Sequence, residues 1–203
     1  ESKKKAAEEA ELILKYLQNN LAGFEKAELN EMPEELYRRE SRHFLTEYQL
    51  GIADLFRQRI FSDTITLASY PLDYQAAAHD YPGFVLFNPE YYAIPLRTLI
   101  ARKNDNLMIV GRSSGYSSLA AASARVLPVG INTAEAAALA ASEALNKEKS
   151  LVEIARDKQS LDKIRSHLNI NLSKYSSESP IIKEQELLKS VEKLLSWGIT
   201  IGG

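Results

Sequence analysis

The sequence contains no cysteine among its 203 residues. That excludes disulfides, thiolate metal sites, iron–sulfur clusters and a cysteine nucleophile, and it leaves the compartment open between cytoplasm and cell surface. Its three histidines, His43, His79 and His167, show neither H-x-H nor H-x-x-x-H spacing, so no metal is expected. No apolar run approaches the ~20 residues of a membrane-spanning helix, so no membrane span is expected. Charge of one sign is also missing: 25 Lys+Arg against 27 Asp+Glu give a formal net charge of −2. With no bulk basic field, nucleic acid is not an expected partner. The nine glycines, at 23, 51, 83, 111, 115, 130, 198, 202 and 203, contain no G-x-G-x-x-G triplet to seat a pyrophosphate. The chain opens Glu1-Ser2-Lys3-Lys4-Lys5 with no initiator methionine or signal peptide, so a piece of a longer protein is expected. What remains is ordinary: 45% hydrophobic and 26% charged residues suit one globular domain, or one with a small appendage.

Residues 3–20 carry Ala6, Ala10, Ile13, Leu14 and Leu17 at helical spacing. Residues 24–50 predict strands about a Met32-Pro33 turn, with a polar helix over 34–42 as the alternative. A short helix is expected over 54–59 and a half-buried strand over 64–70, closed by Pro71. Residues 73–88 suggest a loop and 91–99 an extended segment. Asn104-Asp105-Asn106 is a turn leading to Leu107-Met108-Ile109-Val110, expected as a fully buried strand ended by Gly111. The alanine-rich stretch 118–145 is expected to be two helices split by Pro128 and Gly130. Asn132 with Glu135 would cap the second, leaving the N–H groups of residues 131–134 unpaired. Leu151, Ile154, Leu161, Ile164 and Leu168 suggest amphipathic helices. A Ser/Asn-rich linker over 169–180 and a helix over 185–197 complete the chain.

A buried strand ending in glycine, a short loop and an alanine-rich helix together let backbone approach an anionic cofactor. Asn104-Asp105-Asn106-Leu107-Met108-Ile109-Val110-Gly111-Arg112, then Ser123-Ala124-Arg125-Val126-Leu127-Pro128, resembles the C-terminal flavin-binding segment of a family of bacterial FAD-dependent oxidoreductases. Arg39-Glu40-Ser41-Arg42, Ser69-Tyr70-Pro71-Leu72-Asp73 and Tyr92-Ala93-Ile94-Pro95-Leu96-Arg97 follow that family's upstream elements in order. The resemblance covers roughly residues 4–168. The chain departs from the family at Ser117-Ser118, where a histidine and a carboxylate are common, and at Ala134 and Ala138, which replace glycines.

The resemblance implies an α+β piece. A small antiparallel sheet (residues ~24–100) would join a strand and alanine-rich helices (~104–145) from an incomplete FAD-binding domain, with residues 3–20 packed against the latter. Residues 1–168 would form the oxidoreductase part, followed by the linker and last helix over 169–203. The cofactor implied is FAD, contacted by Gly111, Arg112, Ser113, Arg125, Pro128, Gly130, Ile131 and Asn132. Arg42 and Arg97 would grip a substrate carboxylate, with His43 as a proton carrier, and hydride would pass from substrate to flavin. The substrate is an unidentified small molecule. The remaining partner would be the rest of the same chain, an N-terminal FAD-binding part that carries the glycine fingerprint. Without it this piece is expected neither to retain FAD nor to act alone. The alternative is a non-catalytic binding or cell-surface module that keeps the flavoprotein shape. The ending Trp197-Gly198-Ile199 is faintly similar to the opening of S-layer homology repeats, and equally fits a plain C-terminal helix.

Overall fold

The computed structural model describes residues 2–175 apart from 36, 38, 41, 75–83, 87–88 and 105, and for 84–86 it describes the backbone alone. His79, the helix expected over 185–197 and the Trp197 ending lie outside the described residues. The chain divides into two compact units, Glu1–Arg39 and Glu40–Gly203.

In the first unit, α1 (Ser2–Asn20) forms as the spacing predicts. Ala6, Ala10, Leu14 and Leu17 are half-buried, whereas Leu12, Ile13 and Tyr16 are exposed. Gly23, at φ +93°, turns the chain after the helix, and its N–H donates to the Glu25 carboxylate at 3.1 Å. Gln18 Nε2 then donates to the Ala27 carbonyl at 2.9 Å.

The second unit is built on β1 (Thr64–Ala68), paired antiparallel with β4 (Tyr92–Pro95). Partners run from Thr64 with Pro95 to Ala68 with Tyr92, with an irregularity between Thr64 and Thr66. Pro95, which has no N–H to give, closes the strand and opens a 3₁₀ turn over Leu96–Thr98. A second antiparallel pair joins β2 (Leu72–Tyr74) to β3 (Phe84–Leu86), so the loop expected over 73–88 carries a strand near each end. Asp73 is a poor strand former, whereas Tyr74 favours strands, and both pair with the partner strand although turn formers follow them.

Helices cover both sides of β1 and β4. On one side α2 (Ile52–Phe56) and α3 (Ser118–Ala124) enclose Leu50, Leu55, Phe61, Ala68, Tyr92, Ile94, Tyr116 and Ala120. On the other, α4 (Leu127–Lys147), α5 (Leu151–Ile154) and α6 (Lys158–His167) enclose Ile65, Leu96, Leu99, Ile100, Ala136, Ala140, Ile154 and Ile164. The caps explain where these helices begin. The Ser117 hydroxyl accepts from Ala120 N, Ser150 and Glu153 form a reciprocal capping box, and Asp157 accepts from Gln159 N. The α+β class holds.

Three expectations are corrected. First, the described residues of 24–50 form no strand and no helix; Thr46 and Leu50 enter only single bridges, to Ala101 and Tyr116. Residues 24–35 are nearly all exposed, so their aromatic and apolar side chains have no sheet face to cover. Second, residues 107–110 are not a fully buried strand. They bond to residues 99–101, through Ala101 N to Leu107 O (2.9 Å) and Ile109 N to Leu99 O (2.7 Å). Leu107 is 44% and Val110 42% exposed. Third, the helix break falls at Arg125-Val126, before Pro128 rather than after it. Val126 is the cap of α4 and Pro128 lies in its first turn, where a missing N–H costs nothing. Asn132 and the N–H groups of residues 131–134 are therefore inside the helix.

Among the described glycines, Gly115 has the least room for a side chain. A Cβ there would lie 1.7 Å from Thr46 Oγ1 and 2.9 Å from the Thr98 carbonyl oxygen, whereas at Gly130 the nearest heavy atom, Gly111 Cα, would be 3.8 Å away. Gly115→Ala should cost about 3 kcal/mol or more. Gly130→Ala, in a helix with room for a methyl, should be neutral or stabilising by up to about 1 kcal/mol. Urea denaturation of the two variants checks this; equal stabilities would contradict it.

Candidate functional site

Residues 96–101 form a buried spine that positions everything near Gly111. Their carbonyls and N–H groups serve two neighbours. Toward residues 44–48, Tyr48 N donates to Arg97 O and Glu47 N to Ile100 O, and Arg102 N donates to Leu45 O. Toward residues 107–116, Gly115 N donates to Thr98 O at 3.0 Å. The spine is anchored by Asp63, which is fully buried and accepts from Arg97 three times: from N at 3.0 Å, Nε at 2.9 Å and Nη2 at 2.9 Å. Arg97 also lies over the Tyr48 ring, 5.3 Å from its centroid. Tyr48 in turn donates to Asp54 Oδ2 at 2.8 Å, and burial followed by this carboxylate pushes its phenol up to about 12.

Gly111 opens a 3₁₀ turn, Gly111–Ser113, at φ +81°, a conformation that favours glycine. This turn packs against the first turns of α4, where Gly111 Cα faces Gly130. In this region Arg112 is exposed, Ser113 half-buried, and Pro128, Ile131 and Asn132 exposed. Gly111, Arg112, Ser113, Pro128, Gly130 and Ile131 thus sit together around one turn and one helix start. Asn132 is set apart, in a groove of about 340 Å³ with Thr66, Glu135, Asn169 and Tyr175.

Arg125 ends α3 and is almost covered. Its Nη2 donates to the Asp73 carbonyl at 2.8 Å, and Nη1 lies 4.0 Å from Glu40 Oε2. Two residues earlier, the buried Ser123 hydroxyl donates to the Tyr70 carbonyl at 2.6 Å and lies 2.9 Å from Tyr92 Oη. Burial pushes the Tyr92 phenol up to about 12, the Ser123 contact notwithstanding. Ser123 and Arg125 therefore stitch three distant sequence motifs to one short helix.

Beyond Arg125 the contacts continue. Glu40 Oε1 lies 3.0 Å from His43 Nε2, and His43 Nδ1 lies 3.3 Å from the Ser114 carbonyl. Burial opposes the charge on Glu40, but hydrogen bonds from His43 and Ser118 and the nearby Arg125 hold its carboxyl below the usual range. Glu40 raises the His43 pKa against the effect of burial. Of the residues expected on the substrate side, Arg42 is exposed, His43 half-buried in this cluster, and Arg97 committed to Asp63.

Sequence reasoning assigned no role to Glu40, Asp63 or Ser114. Glu40 stood inside the Arg39–Arg42 element, three residues before His43, and that spacing was the available signal. Asp63 and Ser114 gave none, because their partners lie 34 and 71 residues away.

The sequence model described as FAD dependent oxidoreductase matches residues 1–168, and the chain belongs to that family. No curated protein and no solved structure matches it. No helix among the described residues is long and apolar enough to cross a membrane.

The geometry makes Arg97 a test of structural against substrate duty. Arg97→Ala would leave Asp63 buried and unpaired, at a cost of about 3–5 kcal/mol. Arg97→Lys, with no planar fork, should recover only part. Denaturation midpoints unchanged in Arg97→Ala would show that the pair contributes nothing to folding.

Proposed function

We propose that this chain is the flavin-proximal and substrate-side portion of an FAD-dependent oxidoreductase and is inactive alone. The observation that carries this reading, beside the family match, is the Gly111–Ser113 turn seated on the start of α4. A helix start leaves its first N–H groups without intrahelical acceptors, a favourable place for a partial negative charge. Val126, the cap of α4, supplies no side-chain hydrogen bond that would occupy them. These features suit the ring end of FAD. They do not suit its pyrophosphate, for which the sequence has no glycine fingerprint.

When bound, FAD supplies the two-electron acceptor for oxidation of a small-molecule substrate. The chain's own residues would do the rest. Gly111 and Ser113 bring backbone close, Arg112 adds positive charge, and Pro128, Gly130 and Ile131 offer a small, apolar helix face. Asn132, one position further along that helix, would reach the flavin only at its margin. Arg125 would act at one remove, by holding the Tyr70–Asp73 segment and Glu40. On the substrate side, Arg42 has the exposure to meet a carboxylate, and His43 would be held as a cation beside it.

A glycine-fingerprint portion of the longer protein is the partner this reading requires, and the surface supports it. Along α4, Leu127, Ile131, Ala134, Ala138 and Leu145 repeat at spacings of four, three, four and seven. Leu127 is 80%, Ile131 65% and Leu145 80% exposed. Leu107 and Val110, just before the Gly111 turn, are also exposed. Such apolar exposure suits a covered face. The alternative, a non-catalytic module of flavoprotein shape, rests on Ser117-Ser118: Ser117 caps α3, and Ser118 lies beside Glu40, where the family has titratable groups.

Two measurements follow. Equilibrium dialysis of the 203-residue chain with FAD should find no tight stoichiometric binding, whereas the longer protein should purify yellow. In the longer protein, Arg112→Ala should reduce flavin content with little change in thermal midpoint. Arg125→Ala should lower both, because its contacts are internal. A colourless longer protein would favour the non-catalytic module.

A further inference from the structure

His43 is held between two groups that can only accept. Its Nε2 faces the Glu40 carboxylate at 3.0 Å, and its Nδ1 faces the Ser114 backbone carbonyl at 3.3 Å. A neutral imidazole has one N–H and can satisfy only one of them; an imidazolium satisfies both. The two acceptors belong to separate pieces of chain. Glu40 is three residues away on the same segment, while Ser114 closes the Gly111–Ser113 turn and caps it through its own N–H to Gly111 O at 3.2 Å. Ser114 is fully buried, its hydroxyl donates to Ile109 O at 2.8 Å, and its carbonyl also accepts from Tyr116 N at 2.7 Å, so the residue stays in place when the His43 contact is lost.

We infer that Glu40 and His43 are positioning residues that form a protonation-dependent clip on the Gly111–Ser114 turn: with two protons, His43 bridges Glu40 and the Ser114 carbonyl, and loss of one proton releases one of them.

The surroundings fit this assignment. Besides Glu40, the charged group meeting the pair is Arg125 at the end of α3, 4.0 Å from the other carboxylate oxygen. Charges therefore alternate: Arg125 positive, Glu40 negative, His43 positive. From the turn the Ser114 carbonyl faces the ring, and the Tyr74 hydroxyl of β2 lies 3.4 Å from the Ser118 hydroxyl beside Glu40. The backbone of residues 44–50 supports the clip from the same side, with Phe44 N donating to Ser113 O at 3.0 Å. Removal of the His43 proton would therefore take one contact from a turn that Phe44 still tethers.

The pH window follows from the directions of the two shifts. His43 titrates above the usual 6.5, so the clip is complete below about 6.5 and is lost as pH rises through the raised value. Glu40 titrates below the usual carboxylate range, so its part is present above that range and is lost as pH falls through the lowered value. The turn is held most firmly between these limits.

The consequence for a flavin rests on the reading of Gly111–Ser113 as the flavin-facing turn; the protonation itself does not. The test therefore uses the 203-residue chain without cofactor. Long-range ¹H–¹⁵N NMR of the histidine rings should show both His43 nitrogens protonated at pH 6.5 and a His43 midpoint above the usual 6.5. The amide signals of Gly111, Arg112, Ser114 and Gly115 should shift with that same midpoint. Glu40→Gln should lower the His43 midpoint, while His43→Gln should abolish the pH dependence of the four amides. A single protonated nitrogen at pH 6.5, or amides that do not follow His43 in the unmodified chain, would overturn the inference. Neither result depends on the variants folding or on flavin binding, so a colourless longer protein would leave the clip standing.

Discussion

The buried Asp63–Arg97 pair is the constraint on which the second unit depends. A carboxylate with no solvent exposure survives only if its charge is answered, and three donors from one arginine answer it. The pair ties Asp63, just before β1, to Arg97, two residues after β4, so it closes the end of the ladder where Thr64 meets Pro95. It also fixes the direction in which residues 96–101 leave the sheet. From that direction follow the bonds to residues 44–48 on one side and 107–116 on the other. Arg165 of α6 reinforces the same corner, donating Nε to Thr64 O at 2.8 Å and Nη2 to Ser62 O. The Gly111 turn is therefore located by a chain of contacts that begins at a single ion pair.

Electrostatics within the site divide between charges used internally and charges left outward. Arg125 has the sequence signature of a cofactor contact, yet its guanidinium serves the Asp73 carbonyl and Glu40. Ser123 serves Tyr70 and Tyr92 in the same way. Motif residues of this kind earn their place by joining elements, and α3 can be short because its small side chains let β2 and α2 come close. On the proposed reading, positive potential for an anionic partner would come from Arg112, which is exposed, and from the start of α4.

Much of the fold was legible because local signals and burial agree. The periodicity of residues 3–20, the alternation of 64–68 and the spacing of Leu151, Ile154, Leu161 and Ile164 each produced the element they suggest. Local rules failed where a remote partner decides. Residues 72–74 pair with 84–86 although their turn-forming neighbours suggest a loop. Residues 44–50 look like a strand but distribute their bonds between two different segments. Pro128 was misread by position alone: the same residue that breaks a helix interior starts one comfortably. Gly111, Arg112 and Pro128, which the family motif singles out, lie together around one turn and one helix start. Glu40 and Ser114 were not legible, since the contacts that matter form only after the chain has folded.

The distribution of apolar surface carries the argument one step further. On α4 the core face holds Val129, Thr133, Ala136 and Ala140, all buried, and needs nothing more to stabilise the helix. The second stripe, from Leu127 to Leu145, contributes nothing to that core and is exposed to water. A helix needing only to cover α5 and α6 would carry polar residues there, as α6 does at Lys158, Asp162 and Lys163. Alanine at 134 and 138 keeps the stripe narrow, so whatever covers it can approach the helix backbone closely. The stripe runs back to Leu127 and Ile131, beside the Gly111 turn, so a covering element would also wall the turn from solvent. Exclusion of water there would strengthen every dipole and charge aimed at a flavin ring. On the proposed reading, covering the apolar face and completing the cofactor site would be one structural requirement.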